Sequence, residues 1–396
     1  MELVAPAGNL EKLKYAYLFG ADAVYIGLKD FSLRTRADNF ENNACKAAGL
    51  IKKDKKLYAA LNIYFHNQDL NRLKGELEYL AQYHFDSIII SDLGLVKLLQ
   101  KKLPHTPLHL STQANCINYK SAGLYKDLGF KRIILGRECS LKEIEEIKMK
   151  TDVEVEVFVH GAMCLAYSGR CFLSRYMAGR SANSGDCAHS CRWNYRVLEE
   201  EERPGEYFPV LEGDNFTSIL SSRDLCMIDH LDKLRHAGVD AVKIEGRMKS
   251  VYYTAITTRA YRKALEALSG KPVENLGEYR AELFKVSHRE LSTGFYFDRE
   301  EIERPTELSY RRNYLFLGTI GKRVKPGLYA LNVKNQIRSG ETIEYIGWDI
   351  LFLEDSGYSL FDEDFNPINK IDHSKTAYLK TDKPVLEDYI IRQKIV

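Results

Sequence analysis

Cys164, Cys171, Cys187 and Cys191 make up half of the chain's eight cysteines and crowd into HGAMCLAYSGRCFLSRYMAGRSANSGDCAHSCRWNY. The other four, Cys45, Cys116, Cys139 and Cys226, stand singly. Clustered thiols either staple a secreted domain or bind metal, and the redox compartment decides which. The amino-terminal MELVAPAGNLEKLKYAYLFG carries Glu2 and Glu11 and lacks a basic stretch followed by an apolar run, so no secretory leader is expected. A cytoplasmic location follows, and with it a metal site. The spacing is Cys-x6-Cys-x15-Cys-x3-Cys. Structural zinc usually takes pairs about two to four residues apart, and only Cys187 and Cys191 meet that. Four thiolates without a histidine at ligand spacing suit the soft iron of an iron–sulfur cluster. Iron–sulfur therefore leads, with zinc second and buried or redox thiols third. The three-cysteine motif of radical enzymes is absent, so no radical cleavage of S-adenosylmethionine is expected.

The same segment holds Arg170, Arg175, Arg180, Arg192 and Arg196 against one acid, Asp186, with Tyr167, Phe172, Tyr176, Trp193 and Tyr195 interleaved. Guanidinium forks grip phosphates and aromatic faces stack unpaired bases, a mixture that suits a single-stranded RNA loop. The competing reading is that the arginines neutralise an anionic cluster and the aromatics shield it from water. Gly161, Gly169, Gly179 and Gly185 fit a backbone that wraps such a centre.

Something must position these groups. Short apolar runs at 2–8, 23–27, 58–62, 87–91, 108–112, 132–136, 155–159 and 241–246 read as strands. Amphipathic stretches separate them, among them NQDLNRLKGELEYLAQYH and SLKEIEEIKMKT, the latter opening on a Ser cap. Eight β-branched strands with crossover helices predict an α/β fold, a TIM-like (β/α)8 barrel, ahead of a doubly wound open sheet. The domain organisation expected is a barrel over 1–270 with a Cys-rich insertion at 161–220, a connector at 271–309, and a C-terminal β-barrel domain at 310–396. A hairpin is expected in NYRVLEEEERPGEYFPVLE, turning at Pro204-Gly205.

In such a barrel the active site lies where the strands end. Those ends offer Asn62, Tyr64, Asp92, Ser111, Gln113, Asn115, Arg137, Glu138, His160, Lys243, Glu245 and Arg247. Arg137, Lys243 and Arg247, with amides such as Gln113, could bind a small carboxylate-bearing molecule. Glu245 stands between two of these cations in sequence. His160 is a candidate proton donor or a strand cap, and Lys29 with Arg34 a candidate anion clamp. Taken singly, each is more readily part of a structural salt bridge at a strand end than of a catalytic site.

Composition narrows the field. The net charge is only +2, so no whole-chain field announces nucleic acid; 45% hydrophobic and 28% charged residues are ordinary for a soluble enzyme. No run approaches the roughly 20 apolar residues of a membrane helix. HExxH, GxSxG, GxxxxGK[ST] and GxGxxG motifs are all missing.

MELVAPAGN, GADAVYIGLKDFSLRTRADNF, HLSTQAN, HGAMCLAYSGRC, CRWNY and KIEGRMKSVYY together resemble the collagenase-like peptidase family of unknown catalytic type, number 32 with prefix U. The resemblance spans residues 1 to about 270, and 310–396 looks like the β domain that many members carry. It implies a 4Fe-4S cluster on Cys164, Cys171, Cys187 and Cys191, and oxygen-independent hydroxylation. Members of this kind act in ubiquinone synthesis, on a ribosomal RNA cytidine and on the tRNA wobble uridine. AMCLAYSGRC…CxxxCRWxY looks most like the tRNA member, which makes 5-hydroxyuridine, with prephenate as the implied co-substrate. Members acting on quinone or ribosomal RNA take one ligand from downstream, which leaves Cys226 as an alternative to Cys191. The expected partners are thus a tRNA anticodon loop, a small carboxylate donor and an electron donor. The competing functions are a peptidase, as the family name says, and a zinc-stabilised RNA-binding module.

Overall fold

The structure is a computed structural model that describes residues 1–33, 38–41, 44–164, 166–171, 173–192, 211–213, 216–218, 223–297, 311–373 and 375–395. It divides into two compact units, Met1–Glu274 with His288–Arg311, and Asn275–Ser287 with Arg312–Val396.

The first unit is a closed barrel. Its strands are β1 (Glu2–Ala7), β2 (Ala23–Gly27), β3 (Lys56–Leu61), β4 (Ser87–Ile90), β5 (Leu108–Leu110), β6 (Phe130–Ile134), β7 (Glu154–Ala162) and β8 (Ala241–Ile244). Each pairs in parallel with the next, and β8 pairs with both β7 and β1. That closure rules out the open sheet. The strands are apolar nearly throughout because helices cover the outside while side chains fill the inside. The helices begin where short polar side chains can take up free amide groups. Asn9 caps α1 (Leu10–Leu18), accepting from the Lys12 amide at 3.0 Å. Ser140 and Glu143 form a reciprocal capping box at the start of α6 (Leu141–Thr151), where the sequence placed a Ser cap.

The amino-terminal end of the barrel is filled by charge. Arg132 on β6 reaches across the axis to Glu2 of β1 at 2.7 Å, and to Glu154 and Glu156 of β7 at 2.9 and 3.1 Å. The Glu2 carboxyl is held at about 2, against an ordinary value of 4.5. Burial pushes it up, but Arg132, Lys56 and Tyr58 outweigh that by hydrogen bonds and charge.

After β7 the chain leaves the barrel through the cysteine-bearing insertion. Asp224–Cys226 then runs antiparallel to the end of β7 and parallel to Leu291–Ser292. The turn expected at Pro204-Gly205 lies outside the described residues. The 271–309 stretch is shared between the units. Leu276–Ala281 and the turn after it belong with the second. Leu291–Ser292 extends the barrel sheet, and Tyr296 donates its hydroxyl to the Phe158 carbonyl at 2.5 Å.

The second unit is all antiparallel. A small pair, Ile337–Arg338 with Lys370–Ile371, stands apart from its main strands, which are β9 (Tyr314–Lys325), β10 (Leu328–Val333), β11 (Ile343–Ile346), β12 (Leu353–Asp355), β13 (Ser359–Phe361), β14 (Pro367–Ile368), β15 (Ala377–Lys380) and β16 (Ile390–Lys394). They form one sheet in the order β12-β11-β16-β9-β10-β15-β13-β14. This is the separate C-terminal β domain expected from the turn signals. Its core is built on Leu317, Ile320, Tyr345, Leu379 and Ile391. Arg392 is fully buried in this unit. It grips Glu282 through both terminal nitrogens at 2.5 and 3.0 Å, and donates its Nε to Glu344 at 2.7 Å.

Removing Arg392 would strand two carboxylates, so Arg392→Ala should cost about 3–5 kcal/mol in denaturant unfolding of this unit. Burial raises the Glu282 carboxyl, but the stronger pull of Arg392 and Lys285 leaves it below the ordinary value of 4.5. Its stabilising contribution should be complete above that value and decline as pH falls below it. An acid unfolding series that shows no such loss relative to Glu282→Gln would contradict this.

Candidate functional site

The carboxyl ends of the strands surround a small cavity. Arg137, Lys243, Glu245 and Arg247 all line it, along with Asn62, Ser111 and Gln113. Four of the five residues expected to carry the chemistry therefore share one cavity. Lys243 projects inward from β8. Its ammonium lies 2.8 Å from Glu156 and 4.3 Å from the centre of the Tyr25 ring. Burial lowers the Lys243 pKa, and Glu156 works against that shift. Arg137, just past β6, lays its guanidinium 3.9 Å from the centre of the Phe158 ring and bonds Glu245 at 2.9 Å. A stacked, paired arginine is pre-oriented, so little side-chain freedom remains to be lost on binding an anion. Arg247 is buried and donates to the Ser32 hydroxyl at 3.1 Å. Gly27 makes room for it: a Cβ there would stand 1.6 Å from Arg247 Nη1.

His160 does not line the cavity. It lies on β7 with Nδ1 3.4 Å from the Tyr261 hydroxyl, and it is 2% exposed. Burial pushes its pKa down to about 4, only partly opposed by Asp224, which leaves the ring neutral near pH 7. Lys29 is paired with Glu41, and Arg34 lies outside the described residues. Asp92 caps the turn Leu93–Leu95.

The other strand-end residues fasten the insertion to the cavity rim. Glu138 accepts from the Ser168 amide at 2.7 Å, and the Ser168 hydroxyl accepts from the Arg137 amide at 3.3 Å. The Tyr64 hydroxyl donates to the Gly169 carbonyl, and the Tyr64 amide to Asn183 at 3.2 Å. Gly169 has φ +79 and packs so closely on Gln113 that a Cβ would meet its carbonyl oxygen at 2.1 Å. The insertion is thus bound at several points to residues beside or within the cavity lining. Further along, α7 (Leu173–Ala178) is held by Ser174, which donates to the Arg180 carbonyl at 2.8 Å and accepts from the Ala188 amide at 2.8 Å. Arg180 is committed to Asp186 at 2.6 Å and to the Cys187 carbonyl at 3.2 Å, so it organises the loop. Arg170 and Tyr167 are exposed. Phe172, Trp193, Tyr195 and Arg196 lie outside the described residues.

Cys164 is exposed, and Cys171, Cys187 and Cys191 are half-buried; none is in a disulfide. Among the described residues no three His, Cys, Asp or Glu side chains are gathered closely enough to hold a metal. The donor set nevertheless has the chemistry a thiolate-bound centre needs. It offers four thiols outside any disulfide on one segment, and the His189 amide is aimed at Cys187 Sγ at 3.4 Å, the kind of contact that tunes cluster sulfurs. Cys226 is held differently, 3.9 Å from the Tyr261 hydroxyl, with its thiol pKa raised by burial. Cys116, buried beneath the rim, has its thiol pushed up to about 12 by burial, an inert core residue.

Glu156 and Phe158 lie inside β7, and Gly27, at the end of β2, has no side chain to suggest a role, so the sequence reading passed over all three. The signal for the first two was present: in EVEVFV, Glu154, Glu156 and Phe158 alternate on the inner face of β7.

A TIM-like barrel with a thiol-bearing insertion bonded across its mouth, followed by a small antiparallel β domain, defines the class. The chain belongs to peptidase family U32. The model of that family matches residues 8–306, and the model of the peptidase family U32 C-terminal domain matches residues 312–392. The tRNA hydroxylation protein P1 of Bacillus subtilis (strain 168) is 35% identical over 402 residues, 99% of this chain and 94% of the relative. The tRNA hydroxylation protein P of Escherichia coli (strain K12) is 36% identical over 395 residues, 87% of this chain and 85% of the relative. A 23S rRNA 5-hydroxycytidine synthase of Escherichia coli (strain K12) is 35% identical over 269 residues, 68% of this chain and 40% of the relative. Among the described residues no helix is long and apolar enough to cross a membrane.

Glu156→Gln should lower the Lys243 pKa further, since it removes the counter-charge that opposes burial. Carbon-13 reductive methylation followed by NMR titration would measure this, and an unchanged Lys243 pKa would show that the pair does not hold its charge.

Proposed function

We propose that this protein is a tRNA-modifying enzyme that hydroxylates the wobble uridine to 5-hydroxyuridine without using molecular oxygen. The similarity to relatives named for tRNA hydroxylation, spanning 99% of the chain in one case, carries the reading. The pyrimidine chemistry has further support from the relative named as a 5-hydroxycytidine synthase. The cavity supports a small anionic co-substrate, and prephenate, a dicarboxylate, is the one we assign.

Cys164, Cys171, Cys187 and Cys191 would hold a 4Fe-4S cluster. When bound, it supplies one-electron chemistry at the mouth of the barrel. The rest is work for the chain's own residues. Arg137 and Arg247 bind carboxylate oxygens in a fixed orientation, and Lys243 adds a third positive charge from the floor. Phe158 and Tyr25 keep water from beneath these cations, which strengthens their hold on an anion. Glu245 keeps Arg137 against Phe158. Tyr64, Glu138 and Gln113 hold the insertion in register with the cavity, so exposed Arg170 and Tyr167 are available to a phosphate and a base of the anticodon loop. The peptidase activity in the family's name finds less support, since among the described residues the cavity lining holds no thiol and no imidazole.

The test is to delete the gene and weigh tRNA nucleosides, then restore it with variants. Loss of 5-hydroxyuridine-type nucleosides on deletion, with recovery by the native chain, is the expected result; an unchanged nucleoside profile would refute the assignment. Single Cys→Ser changes at the four positions should each abolish recovery and remove iron and acid-labile sulfide from anaerobically purified protein. Zinc in stoichiometric amount and no iron would favour an RNA-binding module instead. Gly27→Ala should leave the iron in place yet reduce the modification at least about tenfold by displacing Arg247.

A further inference from the structure

The second unit carries a surface that its own folding does not explain. In β15 the residues alternate: Ala377 and Leu379 are buried in the core, while Tyr378 and Lys380 face outward. Tyr378 stands directly opposite Phe361 of β13 on one side and Ala330 of β10 on the other. Directly paired residues share a face, so two aromatic rings and a small residue form an outward patch. Phe365 stacks on Tyr378 with centroids 4.5 Å apart and planes inclined by 17°. Phe365 is 43% exposed, in a chain that otherwise buries most of its large apolar side chains. None of these three rings belongs to the core of the unit.

The turn that presents Phe365 is built for the purpose. Asp362 accepts from the Asp364 and Asn366 amides at 3.0 and 2.9 Å, and Phe365 takes the left-handed φ of +64. A bulky residue rarely adopts that conformation without a reason.

Charge of both signs surrounds the patch: Asp362, Glu363 and Asp364 lie in the Phe365 turn itself, and positive charge is concentrated on the hairpin side. Lys325 places its ammonium 5.5 Å from the Phe365 ring centre, and Lys380 pairs across the sheet with Leu328. From Arg312 to Gly340 the chain has lysines and arginines but no aspartate or glutamate. Exposed Lys322, Arg323 and Lys325 form the tip of this acid-free hairpin. Stacked rings beside lysines match unpaired bases beside phosphates; a protein partner would need an acidic, apolar complement.

We propose that this face, made of Phe361, Phe365 and Tyr378 with Lys325 and Lys380, is a second RNA-contacting surface that stacks unpaired nucleotides. It rests on the reading of the protein as an RNA-modifying enzyme. It also adds a contact site that the barrel cavity does not supply.

The experiment uses the full chain, fluorescein-labelled oligouridine and unfractionated tRNA, with binding followed by anisotropy across a salt series. Phe365→Ala, in an exposed turn, should weaken oligouridine binding about five- to hundredfold with an unchanged thermal unfolding profile. Lys325→Glu should weaken it and flatten the dependence of log affinity on log salt by at least about one phosphate contact. Cys171→Ser should leave oligouridine binding intact while abolishing tRNA modification. Native affinity in both Phe365→Ala and Lys325→Glu overturns the proposal, as does failure of the native chain to bind either RNA. Nucleoside analysis of the deletion strain decides separately whether the hydroxylase reading stands.

Discussion

Glu156 is fully shielded from water inside the barrel, and much of the site depends on the charges that hold it there. An isolated carboxylate in that position would be protonated or would unfold the strand that carries it. It stays because Arg132 reaches one oxygen at 3.1 Å and Lys243 the other at 2.8 Å. Arg132 is in turn shared with Glu2 and Glu154, so one network joins β1, β6, β7 and β8. Those strands include both pairings that close the barrel. Buried ion pairs often stabilise no better than an apolar layer of the same volume. A network this costly to desolvate makes physical sense if its far end, the Lys243 ammonium, is needed in the cavity above.

The same economy governs the rim. Each cation of the cavity is fixed by something other than a future ligand: Glu156 for Lys243, the Phe158 face and Glu245 for Arg137, Ser32 for Arg247. Preorganised charge in a confined site costs little reorganisation when an anion arrives. The insertion is tied to the same residues. Its Ser168 bonds the Arg137 backbone and its Gly169 packs against Gln113, so a shift in the loop would be felt at the cations. The thiol-bearing segment and the cavity cations are coupled through a few hydrogen bonds, not through a separate domain.

The barrel was legible because its strands are apolar on both faces and its helices carry polar starts; Ser140 ahead of Glu143 is visible in the letters alone. The rule that strand ends make the site led to Arg137, Lys243, Glu245 and Arg247, which line the cavity. His160 obeyed the same rule, yet it is turned into the packing of Tyr253 and Tyr261, because position along a strand does not say which way a side chain faces once the strand bends at its end. Residues 288–297 read as linker because their strand is only two residues long and its partner lies more than sixty positions away. The C-terminal β domain was expected from its turns, which recur between its short strands, as at Lys325-Pro326-Gly327 and Ser339-Gly340.

Net charge was the least informative number in the sequence, and the structure explains why. A total of +2 is the residue of large local imbalances. Arg180 is spent on Asp186, Arg132 on three glutamates and Arg392 on two, so the cations that look most abundant are largely structural. Of the acids they consume, Glu2, Glu156, Glu282 and Glu344 are likewise largely removed from the surface. What is left to meet a polyanion is therefore set by which cations lack a dedicated acid nearby, and the acid-free run from Arg312 to Gly340 is the longest place in the second unit where the sequence provides none. Recognition of an anionic partner by a nearly neutral protein is then a matter of spatial sorting, in which buried pairs cancel and exposed clusters do not.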